Sequence, residues 1–358
     1  MNDDCLKLTT YFGERDRAKG AFLADAFTDI YARHELQTSL VMRGVEGFGV
    51  KHHLRTDRLL TLSEDLPLVS IAVDTGARIE TALTEINELR FNGLITLERA
   101  RMLTGRIERI ELPPELHEAT KLTVYVGRQE RVGTRAAYEA LVGLLHERGV
   151  AGATVLLGVD GTAHGERQRA KFFARNAQVP LMVLAVGDGD RIAQILPELG
   201  GMLARPLVTL ERVRVCKRDG RRLAEPHHLP ETDASGLGIW QKLMVHTGEH
   251  SRHRGHPLHH QLVRRLRMAG AAGATSLRGI WGYHGDHKPH GDSFWQLQRH
   301  VPILSVVIDT PERIRDWFTI VDELTDETGV VTSETVPAFR ATGPDINRGG
   351  LSLAEPFQ

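Results

Sequence analysis

The sequence predicts an α+β protein built from three tandem repeats, each with the element order βαββαβ. Three observations lead to this prediction: glycines recur at a constant spacing, prolines open a second apolar run at matching positions, and strand-like and helix-like segments alternate in the same order in each copy. A glycine that ends the first apolar run is followed 31 residues later by another glycine, and the three pairs are Gly13/Gly44, Gly127/Gly158 and Gly248/Gly279. Such a repeat determines the architecture before any single motif is interpreted.

The elements of the first repeat follow from its composition and periodicity. Leu6–Phe12 is β-branched and aromatic, which favours a strand, and Ala21–His34 carries the apolar stripe of an amphipathic helix. The remaining elements are predicted at Ser39–Met42 (strand), Leu68–Val73 (strand), Ala77–Phe91 (helix) and Leu94–Leu103 (strand). This order is that of the ferredoxin-like plait.

The same order recurs twice more and divides the chain into domains. The predicted division is repeat 1 at 1–103, a linker at 104–120, a degenerate repeat 2 at 121–216, a linker at 217–238, repeat 3 at 239–341 and a disordered tail at 342–358. The tail is predicted to be disordered because it shows no hydrophobic period.

Composition limits the kinds of partner that we expect. The chain has 358 residues, of which 41% are hydrophobic and 25% charged, and its net charge is −1. A neutral chain gives no sign of a nucleic-acid footprint, so we expect no nucleic-acid partner. Cys5 and Cys216 lie far apart without metal or redox spacing, which suggests free thiols and a cytoplasmic protein.

Two turn segments are candidates for binding an anion. Gly13-Glu14-Arg15, with Gly248-Glu249 as its counterpart in repeat 3, lies where a strand meets the start of a helix. Backbone N–H groups at such a position favour anions, and the arginine adds positive charge. The alternative is a tight turn with a salt-bridged surface glutamate, and the sequence does not decide between the two.

A glycine-rich segment after the second strand is the next candidate. Arg43, Gly44, Gly47, Phe48 and Gly49 recur in repeat 3 as Arg278, Gly279, Gly282, Tyr283 and His284. The segment leads into a long loop and not into a helix, so it does not meet the dinucleotide-binding fingerprint. Its glycines permit close backbone approach to a ligand and its aromatic residue could stack on a ring. The alternative is an irregular loop base capped by an aromatic residue.

Other polar residues are interpreted as structural. Glu98, Glu211 and Glu334 recur in all three copies, which favours a buried or inter-repeat hydrogen bond over a ligand role. His256 and His260 have a spacing compatible with a metal, but no acidic or cysteine partner is fixed beside them, so we predict no metal site. No motif for covalent catalysis is present, and we expect no enzyme activity.

The first repeat resembles the PII-like family known as domain of unknown function 190. The resemblance rests on the segments LKLTTYFGERDR, RGVEGFG followed by Lys51-His52-His53, LSEDLPLVSIAVD and GLITLE. It implies ferredoxin-like repeats related to the PII signalling proteins, which form trimers and hold adenine nucleotides in clefts between subunits. Three copies in one chain would then make a monomer that acts as a pseudo-trimer.

The resemblance also implies where the site and the contact loops lie. The PII-type loops would correspond to Val45–Asp65, Val159–Val179 and Ile280–Val301, and the cleft would include Gly93 in the turn before the fourth strand. Repeat 2 departs from the pattern, since Arg128, Leu157 and Thr162 stand at the positions of Glu14, Arg43 and Phe48. We therefore expect three unequal clefts, with those that use the motifs of repeat 2 binding weakly or not at all.

These expectations give a first interpretation and two alternatives. The first is a non-enzymatic signalling protein that binds a small anionic ligand, AMP, ADP or ATP, and contacts a partner through its loops. The resemblance suggests a membrane channel of the fluoride-channel type, a transporter or a cytosolic enzyme as that partner. The alternatives are an interaction or scaffold protein with vestigial clefts, and a metal-binding protein that uses the histidines of repeat 3.

Overall fold

The computed structural model describes residues 2–49, 55–56, 65–163, 166–167, 179–284, 290–291 and 301–356. Within them the chain forms three consecutive α/β units on an extensive antiparallel sheet with six α-helices. Most of the three long loops predicted at 45–65, 159–179 and 280–301 lies outside the described residues. None of the described helices has the length and apolar character that a membrane-spanning helix requires.

Each unit contains four long strands and two helices in the same order. In repeat 1 the strands are Asn2–Gly13, Thr38–Phe48, Pro67–Thr75 and Gly93–Thr104, with helices Leu23–Arg33 and Gly76–Glu88. In repeat 2 the strands are Thr120–Gly127, Gly152–Leu157, Pro180–Gly187 and Leu207–Arg212, with helices Ala137–Glu147 and Gly189–Met202. In repeat 3 the strands are Trp240–Gly248, Ala274–Arg278, Pro302–Asp309 and Val330–Val336, with helices Leu258–Met268 and Pro311–Leu324.

Shorter elements decorate these units. A short hairpin of two two-residue strands precedes the first helix of each repeat, at 17–22, 131–136 and 252–257. A 3-10 turn spans Pro114–Leu116. Short strands occur beside the long loops at Arg55–Thr56, Asp160–Ala163, Glu166–Arg167, Trp281–His284 and His290–Gly291. The fourth strands of repeats 2 and 3 are each followed by a hairpin, Arg214–Arg218 with Arg221–Arg222 and Ala338–Gly343 with Ile346–Gly350.

The strand order within each repeat is second, third, first, fourth, and every pairing is antiparallel. In repeat 1 the first strand lies between the third and the fourth, and the second strand pairs with the third. Repeats 2 and 3 have the same pairings. The first two strands of a repeat therefore run in the same direction, and their C-terminal ends lie at the same end of the unit, on either side of the third strand.

The helices cover the outer face of each unit because their apolar residues are spaced for one face. In the first helix of repeat 1, Leu23, Phe27, Ile30 and Tyr31 are buried, which is the i, i+4, i+7, i+8 pattern of an amphipathic helix. Each repeat has its own core between its helices and its sheet. A fourth core joins the opposite faces of the three sheets at the centre of the molecule, where Met42, Met182 and Met244 lie.

The repeats are joined edge to edge into a closed ring. Second strands, or the short strands that follow them, pair across each boundary: Gly44–Phe48 of repeat 1 with Ala274–Leu277 of repeat 3, Thr38–Val41 of repeat 1 with Asp160–Ala163 of repeat 2, and Gly152–Val155 of repeat 2 with Trp281–His284 of repeat 3. Fourth strands, or their continuations, also pair across each boundary. We call these three boundaries the seams.

The C-terminal segment corrects one sequence expectation. Instead of a disordered tail from residue 342, the chain forms the hairpin Ala338–Gly343 and Ile346–Gly350, which pairs with the fourth strand of repeat 1. Phe339 is fully buried and stacks on Trp240 with ring centroids 4.0 Å apart. The segment lacks a period because it gains its order from pairing with a distant strand.

The segment predicted as the first linker packs against repeat 2. Ile107, Leu112 and Leu116 are buried in the core of repeat 2, so residues 104–119 pack on that repeat. Cys5 and Cys216 are both buried and not joined in a disulfide, as the sequence predicts.

Candidate functional site

A ring of alternating charges lies at the centre of the molecule, where the three sheets meet. Its members, in order of contact, are Lys7, Glu98, Lys242, Glu334, Lys121 and Glu211. Within a repeat, Lys121 Nζ lies 2.7 Å from Glu211, and across a seam Lys242 Nζ lies 2.5 Å from Glu98. Each lysine thus contacts one glutamate of its own repeat and one of a neighbouring repeat. The inter-repeat hydrogen bond that the sequence predicts for the three glutamates is present.

The charge ring is neutral and almost fully buried. The side chains of its members are at most 8% exposed, so each charge depends on its neighbours in place of water. Burial alone raises the pKa of Glu334, but the charges of Lys121, Lys242 and Lys7 outweigh it and lower this pKa to about 2. Burial also raises the pKa of Glu98, but the charges of Lys242, Lys7 and Lys121 outweigh it and lower this pKa.

The lowered pKa of Glu334 predicts acid sensitivity. Because its pKa falls from 4.5 in the unfolded chain to about 2 in the folded one, the stabilisation is complete above pH 4.5 and is lost as the pH falls through about 2. The loss is expected to be on the order of 3 kcal/mol of unfolding free energy. Urea unfolding at a series of acidic pH values measures it. In the double variant Lys121→Met/Glu334→Met this pH dependence should shrink, and an unchanged slope would contradict the assignment.

The glycine-rich segment predicted as a ligand loop lies largely in the seams. Gly44 and Gly47 belong to the strand Thr38–Phe48, not to a loop base. A Cβ on Gly47 would lie 2.7 Å from the carbonyl oxygen of Ala274 across the seam. Gly279 and Gly282 occupy the same positions against repeat 2, where a Cβ on Gly282 would lie 2.2 Å from the carbonyl oxygen of Ala153. In these four positions the glycines allow two strands to approach closely.

The predicted anion-binding turns use their N–H groups internally. The N–H groups of Gly13, Glu14 and Arg15 donate to Asp16 Oδ2, Leu66 O and Asp65 Oδ1 at 2.6, 2.9 and 2.8 Å. In repeat 3, Gly248 N donates to Ser251 Oγ and Glu249 N donates to Val301 O. These N–H groups of both turns are therefore satisfied within the protein, by the turn itself and by the residues just before the third strand.

The predicted arginines pair with the predicted glutamates. Arg43 donates to Glu14 at 2.8 Å, and Arg278 donates to Glu249 at 3.0 Å. These ion pairs connect the first-strand turn to the second strand in repeats 1 and 3. Repeat 2 has Arg128 and Leu157 at these positions and cannot form the pair.

A cleft opens at the seam between repeats 1 and 3. The space in it that a water-sized sphere can occupy is about 80 Å³, and its empty volume including the opening to solvent is about 790 Å³. Repeat 1 contributes the ends of its first and second strands and the turn before its fourth strand, including Gly13, Phe48, Gly49 and Gly93. Four of the sequence-predicted residues therefore meet in one cleft, which we call the 1–3 cleft.

The opposite wall of the 1–3 cleft comes from repeat 3. Ala272–Thr275 form its side, and Val306 and Ile308 lie among the residues that line it. Ala274 and Thr275 are buried and pair with Phe48 and Gly47 of repeat 1 on one side and with the third strand of repeat 3 on the other. Phe48 is only 3% exposed and belongs to the core of repeat 3, so most of its ring is already in contact with protein.

Among the described residues, two charged side chains lie at the 1–3 cleft. Arg55 forms an ion pair with Asp65 at 2.8 Å, and its guanidinium lies so close to Gly13 that a Cβ there would be 2.5 Å from it. Asp16 also lines the cleft, but its carboxylate accepts the Gly13 N–H. A guanidinium carries five N–H donors, and within the described part of the chain Arg55 pairs with Asp65.

The corresponding cleft between repeats 3 and 2 is narrower. Its empty volume is about 330 Å³, and Tyr283 takes the place of Phe48. The Tyr283 hydroxyl donates to Val150 O at 3.0 Å and its ring packs edge-on against His146. At the seam between repeats 2 and 1 the equivalent residue, Thr162, is buried and hydrogen-bonded to Ser39 at 2.8 Å. The three seams therefore differ in shape, as the sequence differences suggest.

Sequence reasoning missed two sets of residues. Lys7, Lys121 and Lys242 each stand six residues before the glycine that ends the first strand, a regularity that could have identified them as partners of the glutamates. Arg55 and Ala272–Thr275 carry no such signal, because their place in the 1–3 cleft follows from a seam between distant segments.

Comparison with known proteins identifies the repeats. The family model DUF190, described as an uncharacterized ACR, matches residues 5–102, 119–215 and 240–338. A crystal structure of aspartate kinase from Synechocystis aligns with a TM-score of 0.24 and 10% identity over 96% of this chain and 45% of the kinase chain. The chain thus spans less than half the length of that structure. The three matches cover most of the sequence, and the chain belongs to the DUF190 family, of which it carries three tandem copies.

Proposed function

We propose that this chain is a PII-like signalling protein whose three ferredoxin-like repeats act as a pseudo-trimer within one monomer. The strand order within each repeat and the cyclic pairing of the seams support this proposal. The ligand is a small anion, an adenine nucleotide such as AMP, ADP or ATP, and it binds in the 1–3 cleft. The protein works in the cytoplasm without catalysing a reaction.

The observation that carries this proposal is the composition of the 1–3 cleft. A mostly apolar pocket with few charges among its described residues suits a flat heterocycle, and Arg55 supplies a cation for a phosphate. The turn N–H groups that the sequence suggested for anion binding are occupied, so Arg55 takes over that role in the proposal.

The location of the 1–3 cleft connects ligand binding to the loop at 45–65. Phe48 and Gly49 line the cleft and end the second strand, and Arg55 pairs with Gly47 in a short antiparallel bridge. A nucleotide that contacts Arg55 would bias the start of this loop. The partner contacted by the loops is a channel of the fluoride-channel type, a transporter or a cytosolic enzyme.

Calorimetric titration of AMP, ADP and ATP into the full chain tests the proposal. We expect fewer than three equivalent sites per chain, because the seams differ. Arg55→Gln should weaken binding about tenfold or more through loss of a charge-assisted hydrogen bond. Gly49 lines the cleft and a Cβ there meets nothing within 4 Å, so Gly49→Leu displaces no neighbour and should weaken binding by occupying space at the cleft.

Matched controls separate loss of the site from loss of the fold. Arg33→Gln removes an exposed arginine of repeat 1, and Gly201→Leu adds a side chain at a helical glycine with open surroundings. Both variants should bind as the unchanged protein does. Absence of binding by all three nucleotides would favour the scaffold alternative with vestigial clefts, and three equal sites would contradict the assignment to the 1–3 cleft.

A further inference from the structure

Three potential metal ligands meet across the seam between repeats 1 and 3. Glu46 lies on the second strand of repeat 1, and His259 and His260 lie in the first turn of the helix Leu258–Met268 of repeat 3. One ligand atom from each residue lies within 4.8 Å of the other two. Glu46 and His259 are buried and the side chain of His260 is 16% exposed, so the group is largely enclosed.

The contacts within this cluster favour a shared ligand over a simple ion pair. Oε2 of Glu46 lies against Nδ1 of His260, but the two groups are not aligned as a hydrogen bond, and Nε2 of His260 is buried without a hydrogen-bond partner among the described residues. The rings of His259 and His260 are 4.4 Å apart between centroids.

The distances in the cluster are compatible with coordination. Around a tetrahedral zinc ion, ligand bonds of about 2.0–2.1 Å place neighbouring ligand atoms about 3.3 Å apart. In the structure the three ligand atoms lie within 4.8 Å of one another. To bind one ion they would approach to about 3.3 Å through side-chain rotation. Two histidines and one glutamate leave a fourth position for water, which is the arrangement of an open zinc site.

We propose that Glu46, His259 and His260 form a binding site for a divalent transition metal with nitrogen and oxygen ligands, with Zn²⁺ as the best fit. The site joins repeat 1 to repeat 3, and its residue Glu46 precedes Phe48 of the 1–3 cleft by two positions in the sequence. It differs from the pair His256 and His260 that the sequence suggested, because His256 is exposed and the carboxylate comes from the other repeat. The proposal does not depend on nucleotide binding.

Titration of the full, untagged chain with Co²⁺ tests the site, because Co²⁺ in a site of low coordination number absorbs visible light. We expect one Co²⁺ per chain, displaced by Zn²⁺, and a rise in melting temperature on addition of Zn²⁺. Glu46→Gln, His259→Gln and His260→Gln should each weaken Co²⁺ binding tenfold or more. His256→Gln is the matched control from the same segment and should leave binding unchanged.

Several results would overturn the proposal. One is the absence of a visible Co²⁺ spectrum in the unchanged protein, which would leave an ion pair between Glu46 and His260 as the only role. Another is loss of binding in His256→Gln, or full retention in the three cluster variants. If Glu46→Gln does not fold, His260→Gln decides the outcome. The His260 side chain is 16% exposed and that of Glu46 is 4% exposed, so replacing His260 disturbs the packing less.

Discussion

Replacing Lys121 by methionine is expected to lower the free energy of unfolding by about 3–5 kcal/mol. Lys121 is 1% exposed, contacts Glu211 and Glu334, and belongs to a charge ring whose charges cancel. Its removal leaves a buried excess negative charge that no water can solvate. Urea unfolding followed by circular dichroism measures the change.

Two further variants test the charge ring. The double variant Lys121→Met/Glu211→Met restores neutrality, so it should be more stable than Lys121→Met alone. Arg148→Met breaks an ion pair whose side chains are 56% and 48% exposed, and should cost less than about 1 kcal/mol. If Lys121→Met and Arg148→Met cost the same, the charge ring has no special part in stability.

Replacing Gly161 by alanine is expected to destabilise the protein by about 1–3 kcal/mol, the usual cost of overpacking. A Cβ at this position would lie 2.2 Å from the carbonyl oxygen of Ser39 and 2.9 Å from the Cα of Leu40. Both are backbone atoms of repeat 1, so the seam between repeats 1 and 2 must open to admit the methyl group. Hydrogen exchange should therefore accelerate in Thr38–Val41, the strand that pairs across this seam.

The control for Gly161→Ala is a glycine without neighbours. Gly143 lies inside the helix Ala137–Glu147, and a Cβ there meets nothing within 4 Å. Gly143→Ala should stabilise the protein by about 0.5–1 kcal/mol because alanine is the better helix former. Equal destabilisation by both variants would show that the effect is not specific to the seam.

Local patterns in the sequence were sufficient for the main elements of the fold. The spacing of glycines and prolines gave three repeats, and apolar periodicity gave six helices and the long strands. The prediction ended the second strand at Met42, whereas the strand continues to Phe48. The reason is that Gly44 and Gly47 look like loop residues until the strand of repeat 3 that lies against them is known.

The candidate site was less predictable because it is built from contacts between repeats. Gly13, Phe48, Gly49 and Gly93 were recognised individually, and all four line the 1–3 cleft. Arg55 was not recognised, since a single arginine in a polar loop has no pattern. The C-terminal hairpin was missed for the same reason: its order comes from pairing with the fourth strand of repeat 1, more than two hundred residues away.

The presence of all three repeats in one chain has a consequence for how such a protein can change. In a trimer of identical chains every substitution occurs three times, once at each boundary between chains. Here a substitution occurs once, so one pocket can acquire a new specificity while its two counterparts stay unchanged. The six central charges are less free, because each touches partners from two repeats and a change in one requires a matching change in another. Substitutions that diverge between repeats are thus tolerated at the clefts and constrained at the charge ring.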